Sequence, residues 1–472
     1  MPSHRASSPP RGLRRIILAC LHDVPGAAVD DDVPFAALGL DSLRATELAR
    51  RLAEALGTAV SPTVFYEHPT VGRLIAALTQ PAEVPAPLPE REPDVPVAVI
   101  GVACRLPGAD GPDALWQLLH GDFDAVREIP AARWPASVHD PAGRRAKGSI
   151  TRHAAMIDGV DQFEPEFFGI SPREAVHVDP QQRILLELAW EALEHAGLPP
   201  DGMRDRPVGV FVGGMSMDYG ELTWEWTDRI PSAYGPGSAL TMLSNRISYA
   251  LRFTGPSLTV DTACASSLTA LHLACQSLRR GEAELAVAGG VILHLRPNGF
   301  ATMSRLGALA PDGRSKAFSA AADGYGRGEG GALLVLKPLA AARRDGDNVL
   351  AVVRGSAINH NGASNGVTAP SPHAQAAVIR AAWAAAGVSP AEAGYVEAHG
   401  TGTALGDPLE AEALGRVFGA LRPADDPRGW ARARPTWATP RRPPVRWGCC
   451  RSCWRCGTAP SRRACTPSPP TR

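Results

Sequence analysis

A chain of 472 residues with 44% apolar content exceeds one average domain and has material for more than one buried core. Its 48 basic and 48 acidic residues cancel, but residues 428–472 hold eleven arginines and no Asp, Glu or Lys. The remainder therefore carries 37 basic against 48 acidic groups, which excludes a general nucleic-acid binder. No run reaches the roughly 18 uninterrupted apolar residues of a membrane span, and the start "MPSHRASSPPRGLRR" lacks the apolar region of a secretory signal. The expectation is a cytoplasmic protein with neither membrane nor nucleic acid as partner.

Residues 12–80 read as a small helical unit. In "LRATELARRLAEAL" the leucines at 43, 48, 52 and 56 share one helical face, with Asp41 or Ser42 as its cap, and another helix starts near "HPTVGRLIAAL". Four helices in this length make a bundle. Residues 81–94 lie in "QPAEVPAPLPEREPDVP", whose prolines and charges make an extended, semi-rigid linker.

From Val95 onward short apolar runs alternate with helical patterns. "VAVIGVA", "VGVFVGG", "SLTV", "LAVAGG", "ALLVLK", "VLAVVRGSAI" and "GYVEAHG" read as strands; "PQQRILLELAWEALEHAG" and "HAQAAVIRAAWAAAG" read as helices. Strands buried on both faces with helices between them describe an α/β layered domain. Residues 428–472 follow no amphipathic order and are expected to be disordered, and five of the nine cysteines fall there. The other four, Cys20, Cys104, Cys264 and Cys275, are scattered, as reduced thiols are.

Three residues are candidates for chemistry. Ser42 after Asp41 at a helix start is ordinarily a cap, although a helix N-terminus also suits a phosphodiester, which meets free N–H groups and the positive dipole end. Cys264 in "VDTACASSL" stands where a strand turns into a helix. A free cysteine is commonly a small buried hydrophobe, the role expected of Cys275 three turns further along. Near a helix start, however, the dipole favours the thiolate and backbone N–H groups can hold an oxyanion, and small neighbours leave room for an acyl group. His399 in "EAHGTGT" is either a loop hydrogen-bonder or a catalytic donor.

The string "FAALGLDSLRATEL" resembles acyl carrier proteins of polyketide and fatty acid synthases. The resemblance implies 4′-phosphopantetheine esterified to Ser42 by a phosphopantetheinyl transferase. "VDTACASSL" resembles the nucleophile motif of β-ketoacyl synthases, the condensing domains of modular polyketide synthases, with Ala265 where many relatives have serine. The likeness continues through "FFGISPREAVHVDPQQRILLELAWEALEHAG", "KAFSAAADGYGRGEGGALLVLKPL", "NHNGASNGVTAPSPHAQ" and "VEAHGTGTALGDPLEAEAL".

This resemblance implies an α/β fold of thiolase type, five layers αβαβα, over residues 95–427. The first half takes about 95–340 and an incomplete second half about 341–427. It further implies that Cys264 accepts an acyl chain and that His399 hydrogen-bonds the carbonyl of a malonyl-type extender, which loses CO₂ and attacks the acyl-cysteine. Acyl and malonyl-type thioesters on carriers, other polyketide synthase domains and a second copy of the chain are the implied partners. No metal is required.

Two family segments, a "K-x-N-x-G-H" motif and a "GFGG" loop, do not occur. In the neighbouring reading frame, permitted codons for "ARPTWATPRRPPV" from Ala433 spell Lys-Ala-Asn-Val-Gly-His-Ala-Glu-Ala-Ala-Ala-Gly. The tail is therefore expected to be out of frame, with the shift between about residues 421 and 432, and condensation by this chain is expected to be weak or absent. Such a tail also accounts for "CCRSCWRCG", whose Cys450, Cys453 and Cys456 otherwise suggest a metal site. "GYGRGEGG" lacks full dinucleotide spacing. The alternatives are a non-catalytic carrier and docking fragment in which only Ser42 works, and a degradative thiolase, which the fused carrier disfavours.

Overall fold

The computed structural model describes residues 94–419 apart from 122, 146, 227–229 and 363–367, and in the N-terminal unit residues 14, 17–18, 30–35, 40, 42–57, 60 and 64–79. In that unit α1 spans Ser42–Leu56, α2 Val64–Glu67 and α3 Val71–Thr79. Arg14, Ile17 and Leu18 are also helical, and belong to the first of the four expected helices. The leucine face of α1 turns inward as its spacing requires: Leu48 and Leu52 join Ile17, Phe35, Phe65, Val71 and Leu74 in one core. Phe35 and Phe65 meet edge to face at 5.5 Å. Asp41, one of the two expected caps, lies outside the described residues, and so does the tail 428–472.

The larger unit is built on a mixed sheet. Its strands are β1 (Val97–Leu106), β2 (Ala109–Asp110), β5 (Val208–Gly213), β6 (Ser257–Val260), β7 (Leu285–Ile292), β8 (Gly330–Pro338) and β9 (Ala351–Val353), while β3 (Arg127–Glu128) and β4 (His153–Ala154) form a separate pair. The order is β2-β1-β8-β7-β5-β6, with β9 also on β1. β5 runs parallel to β6 and β7, whereas β8 is antiparallel to both β7 and β1.

Side-chain alternation assigns the two faces. Val208, Val210 and Val212 of β5, with Val287 of β7, pack against α4 (Pro180–His195) and α5 (Met242–Leu251). Phe211, Ala286 and Ala288 face α6 (Ser266–Arg280), which presents Ala270, Ala274 and Cys275. Those small residues let α6 lie close to the sheet. Burial pushes the Cys275 thiol up to about 11, so it is an inert core group as its position implied.

Beyond β9 the chain forms α7 (Pro372–Ala386) and α8 (Gly406–Phe418), joined by Ala376, Trp383, Ala413, Val417 and Phe418. The strands of this half differ from expectation. Only Ala351–Val353 of "VLAVVRGSAI" is extended in a ladder, and its partner is β1 of the first sheet; "GYVEAHG" is not a strand. An extended segment becomes a strand only where a neighbour pairs its N–H and C=O groups, and the described residues supply no second-half neighbour. Helix, sheet and helix are thus the layers formed by the described residues, followed by the α7–α8 pair.

Asp179 caps α4, accepting from the Gln181 backbone N–H at 2.8 Å and its side-chain amide at 3.2 Å. Burial pushes its carboxyl up from 3.8 to about 6. The folded state therefore holds this proton more tightly than the unfolded chain. Its contribution to stability is complete below pH 3.8 and is lost as pH rises through about 6. Asp179→Asn keeps a capping oxygen and is expected to remove about 1–3 kcal/mol of stability change across that window, the helix dipole offsetting part of the burial cost. Urea melts of both proteins at pH values spanning the window test this.

Candidate active site

The strand β6 ends at Val260, and six residues later α6 begins at Ser266. Between them Ala263–Ala265 forms a short 3₁₀ turn. Cys264 is at its centre and is exposed, so the nucleophile candidate sits just ahead of α6, in a turn of its own. Ala263 has φ of 51°, a left-handed conformation that strains a residue with a Cβ. Cross-bracing holds it there. Ala263 N–H donates to Asp261 Oδ1 at 2.9 Å, Thr262 N–H donates to Ser266 Oγ at 2.9 Å, and the Ser266 hydroxyl donates to the Ala263 carbonyl at 2.7 Å.

Two glycines admit this turn to the sheet. A Cβ on Gly213, the last residue of β5, would stand 2.5 Å from the Ser266 carbonyl carbon and from Ser267 N; one on Gly290 of β7 would stand 3.0 Å from Ser267 Cβ. Strand ends without side chains are the condition for α6 to start where it does.

A second polar cluster is gathered around the segment from Gly324 to Glu329. The Glu329 side chain has no solvent exposure and accepts from both Arg133 guanidinium nitrogens at 2.9 and 3.0 Å, from His294 N–H at 2.8 Å and from Ile157 N–H at 3.0 Å. Burial still pushes its carboxyl upward. The Arg327 guanidinium lies over the Phe300 ring at 5.1 Å and against His294. Burial drives His294 well below its ordinary value, so the ring is neutral.

His399 is exposed on a loop fastened to the start of α8. Glu410 accepts from His399 N–H at 2.5 Å and Gly400 N–H at 2.7 Å, while Asp407 accepts from Gly402 N–H at 2.9 Å and Phe318 N–H at 2.5 Å. Gly324 N–H donates to the Gly402 carbonyl at 2.9 Å, which ties the histidine loop to the segment carrying Arg327. Sequence reading missed Asp407 and Glu410. The signal was there in "GTGTALGDPLEAE": two carboxylates at a helix start can collect the loose N–H groups of a glycine-rich loop.

Ser42 opens α1; its side chain lies outside what the structure describes. A helix start offers unpaired N–H groups, so this position fits a phosphodiester, and the phosphopantetheine group would be held there.

Residues 94–342 match the family described as beta-ketoacyl synthase, N-terminal domain, and residues 350–428 its C-terminal domain. The chain belongs to the β-ketoacyl synthase family. Residues 13–78 match a phosphopantetheine attachment site, so a carrier with that covalent cofactor precedes the ketosynthase. The chain is 47% identical over 411 residues to a phenolphthiocerol/phthiocerol polyketide synthase from Mycobacterium tuberculosis, covering 84% of this chain and 22% of that protein. It is 44% identical over 427 residues to pikromycin polyketide synthase component PikAII of Streptomyces venezuelae, covering 88% and 11%.

Among solved structures, the oxazolomycin ketosynthase domain OzmH KS7 of Streptomyces albus aligns with TM-score 0.66 and 41% identity over 70% of this chain and 57% of that one. A ketosynthase from module 6 of the bacillaene synthase of Bacillus subtilis gives 0.63 and 38% over 69% and 55%. The expected thiolase-like α/β fold is therefore that of a ketosynthase. The chain spans less than a quarter of the length of these two polyketide synthases. No helix among the described residues is long and apolar enough to cross a membrane, and none of their His, Cys, Asp or Glu groups forms a metal-holding cluster.

Proposed function

We propose that this chain is a carrier and ketosynthase portion of a modular polyketide synthase, and that its ketosynthase takes an acyl chain onto Cys264. The observation that carries the reading is the exposed cysteine on a strained, braced turn at the head of α6. The Cys264 thiol loses its proton, Sγ bonds to the carbonyl carbon of an acyl thioester, the substrate's C–S bond breaks, and the departing thiol takes up a proton. Phosphopantetheine on Ser42 supplies the thiol on which such acyl groups travel.

In the second half-reaction a malonyl-type thioester loses CO₂, and His399 donates a hydrogen bond to the enolate oxygen. The carbanion carbon then bonds to the acyl carbon and frees Cys264. Glu410 and Asp407 hold the His399 loop by its backbone N–H groups and so fix where the imidazole stands. The second histidine of the family pattern has no counterpart in residues 421–472, and we assign the tail 428–472 to a frame shifted between about residues 421 and 432. Condensation is therefore expected to be far weaker than acylation.

The reading includes a cytosolic setting, loading of Ser42 by a phosphopantetheinyl transferase and a homodimer. Supporting the dimer, β6 pairs only with β5 among the described residues, and beside this edge Tyr249 is 83% and Leu268 70% exposed. The test loads Ser42 with a labelled acylated arm and locates the label by peptide mass spectrometry. Label on Cys264 is expected. Label confined to Ser42 leaves only the carrier working and overturns the assignment. Added malonyl thioester should yield little or no β-ketoacyl product; efficient turnover overturns the shifted-frame account of the tail.

A further inference from the structure

The Ser266 hydroxyl is turned the wrong way for a helix cap. At a helix start a serine ordinarily accepts from an N–H further along the helix, yet α6 begins from Ala265, which offers no side-chain cap, and Ser266 reaches back into the turn. Its Oγ accepts from Thr262 N–H at 2.9 Å and donates to the Ala263 carbonyl at 2.7 Å. Ser266 is 6% exposed, so water competes little for these bonds. Helix α6 thus forgoes a stabilising cap, and the hydroxyl holds the residue before the nucleophile instead.

The two peptide groups that flank the Ala263 Cα are fixed from opposite sides. The preceding one is held by Asp261 Oδ1, which accepts its N–H at 2.9 Å, and by Ala265 N–H, which donates to its carbonyl at 3.2 Å. The following one, which carries the Cys264 N–H, is held through its carbonyl by the hydroxyl and the backbone N–H of Ser266. Ser266 is itself seated: a Cβ on Gly213 would stand 2.5 Å from its carbonyl carbon, so its backbone rests on the end of β5.

We propose that Ser266 is a positioning residue for acyl transfer, its hydroxyl holding Ala263 at φ 51° and so aiming the Cys264 thiol. The inference rests on Cys264 being the acyl acceptor. Without the hydroxyl, the Ala263 carbonyl keeps only the Ser266 N–H, and a residue with a Cβ leaves the left-handed region when it is not held there. The peptide entering Cys264 turns with it. The thiol stays exposed but loses its aim, and a misplacement of about 1 Å costs on the order of a hundredfold in rate.

The test compares two reactions of Cys264 in the full chain, each read at that residue by peptide mass spectrometry. Acylation by a labelled acyl thioester demands an aimed sulfur, whereas alkylation by iodoacetamide demands only an accessible one. Ser266→Ala should lower the acylation rate about ten- to a hundredfold and leave alkylation within about twofold, with a thermal melt to show that the protein is folded. Adding Ala263→Gly should recover at least about threefold, because glycine enters the left-handed region unaided. Ala263→Val reaches the same point without touching Ser266: a β-branched residue resists that conformation, so acylation should fall while alkylation holds. Equal acylation by the wild type and a folded Ser266→Ala protein overturns the proposal, as does a loss shared equally by both reactions or a further loss on adding Ala263→Gly. A folded Ala263→Val protein that acylates at the wild-type rate overturns it too, even if Ser266→Ala does not fold. Failure of the underlying reading looks different: the wild type itself then takes the alkyl label but no acyl label at Cys264.

Discussion

Cys264→Ala is expected to abolish acyl transfer to the ketosynthase, with the rate of acyl-enzyme formation falling at least about 10³-fold, since loss of a nucleophile leaves only binding and oxyanion stabilisation. The fold should be untouched. Cys264 is exposed and makes none of the braces that hold its turn, which run instead through Asp261, Thr262, Ala263 and Ser266. A single-turnover assay with a labelled acyl thioester, beside a thermal melt, separates the outcomes. Unchanged labelling in the alanine variant would place the nucleophile elsewhere. Cys275 and Cys104 are poor substitutes because burial raises both thiols.

Gly213→Val should have the largest effect on the fold. The new Cβ would stand 2.5 Å from backbone atoms at the head of α6, a separation that only backbone movement relieves. Relief requires α6 to withdraw from β5 and β7, or β5 to shift in a sheet it shares with both neighbours. The expected cost is about 3 kcal/mol or more. Urea melts measure it, and acylation of Cys264 should fail even in the fraction that folds, because the nucleophile turn is carried on the displaced helix. Wild-type stability in this variant would show that α6 does not need so close an approach.

Much of this architecture was legible from residue order. "VGVFVGG", "LAVAGG" and "ALLVLK" were recognisable as strands because strands covered on both faces must be continuously apolar, and each became one. Their arrangement was not legible. Nothing local in "ALLVLK" says that β8 enters between β1 and β7, since that choice is made by which faces complement each other. "GYVEAHG" has the composition of a strand and lacks the neighbour that would make it one.

At the site the same division holds. Cys264 and His399 announced themselves through motifs, and the helix start at Ser42 through its capping chemistry. The room made by Gly213 and Gly290 arises from contacts between segments distant in sequence, and the left-handed Ala263 from a local set of braces that composition does not reveal. Alanine before the cysteine gave no hint of strain, because glycine is the residue normally read as a left-handed turn.

The insertion of β8 into the sheet also sets a schedule for biosynthesis. β1 leaves the ribosome well before β8, so its main ladder, from Val97 against Pro338 to Arg105 against Gly331, cannot form until a segment more than 200 residues later has emerged. At ordinary translation speeds that is a delay of roughly ten to fifty seconds. Throughout it, the unpaired "VAVIGVA" is an aggregation hazard, and shelter of β1 until β8 arrives favours correct folding.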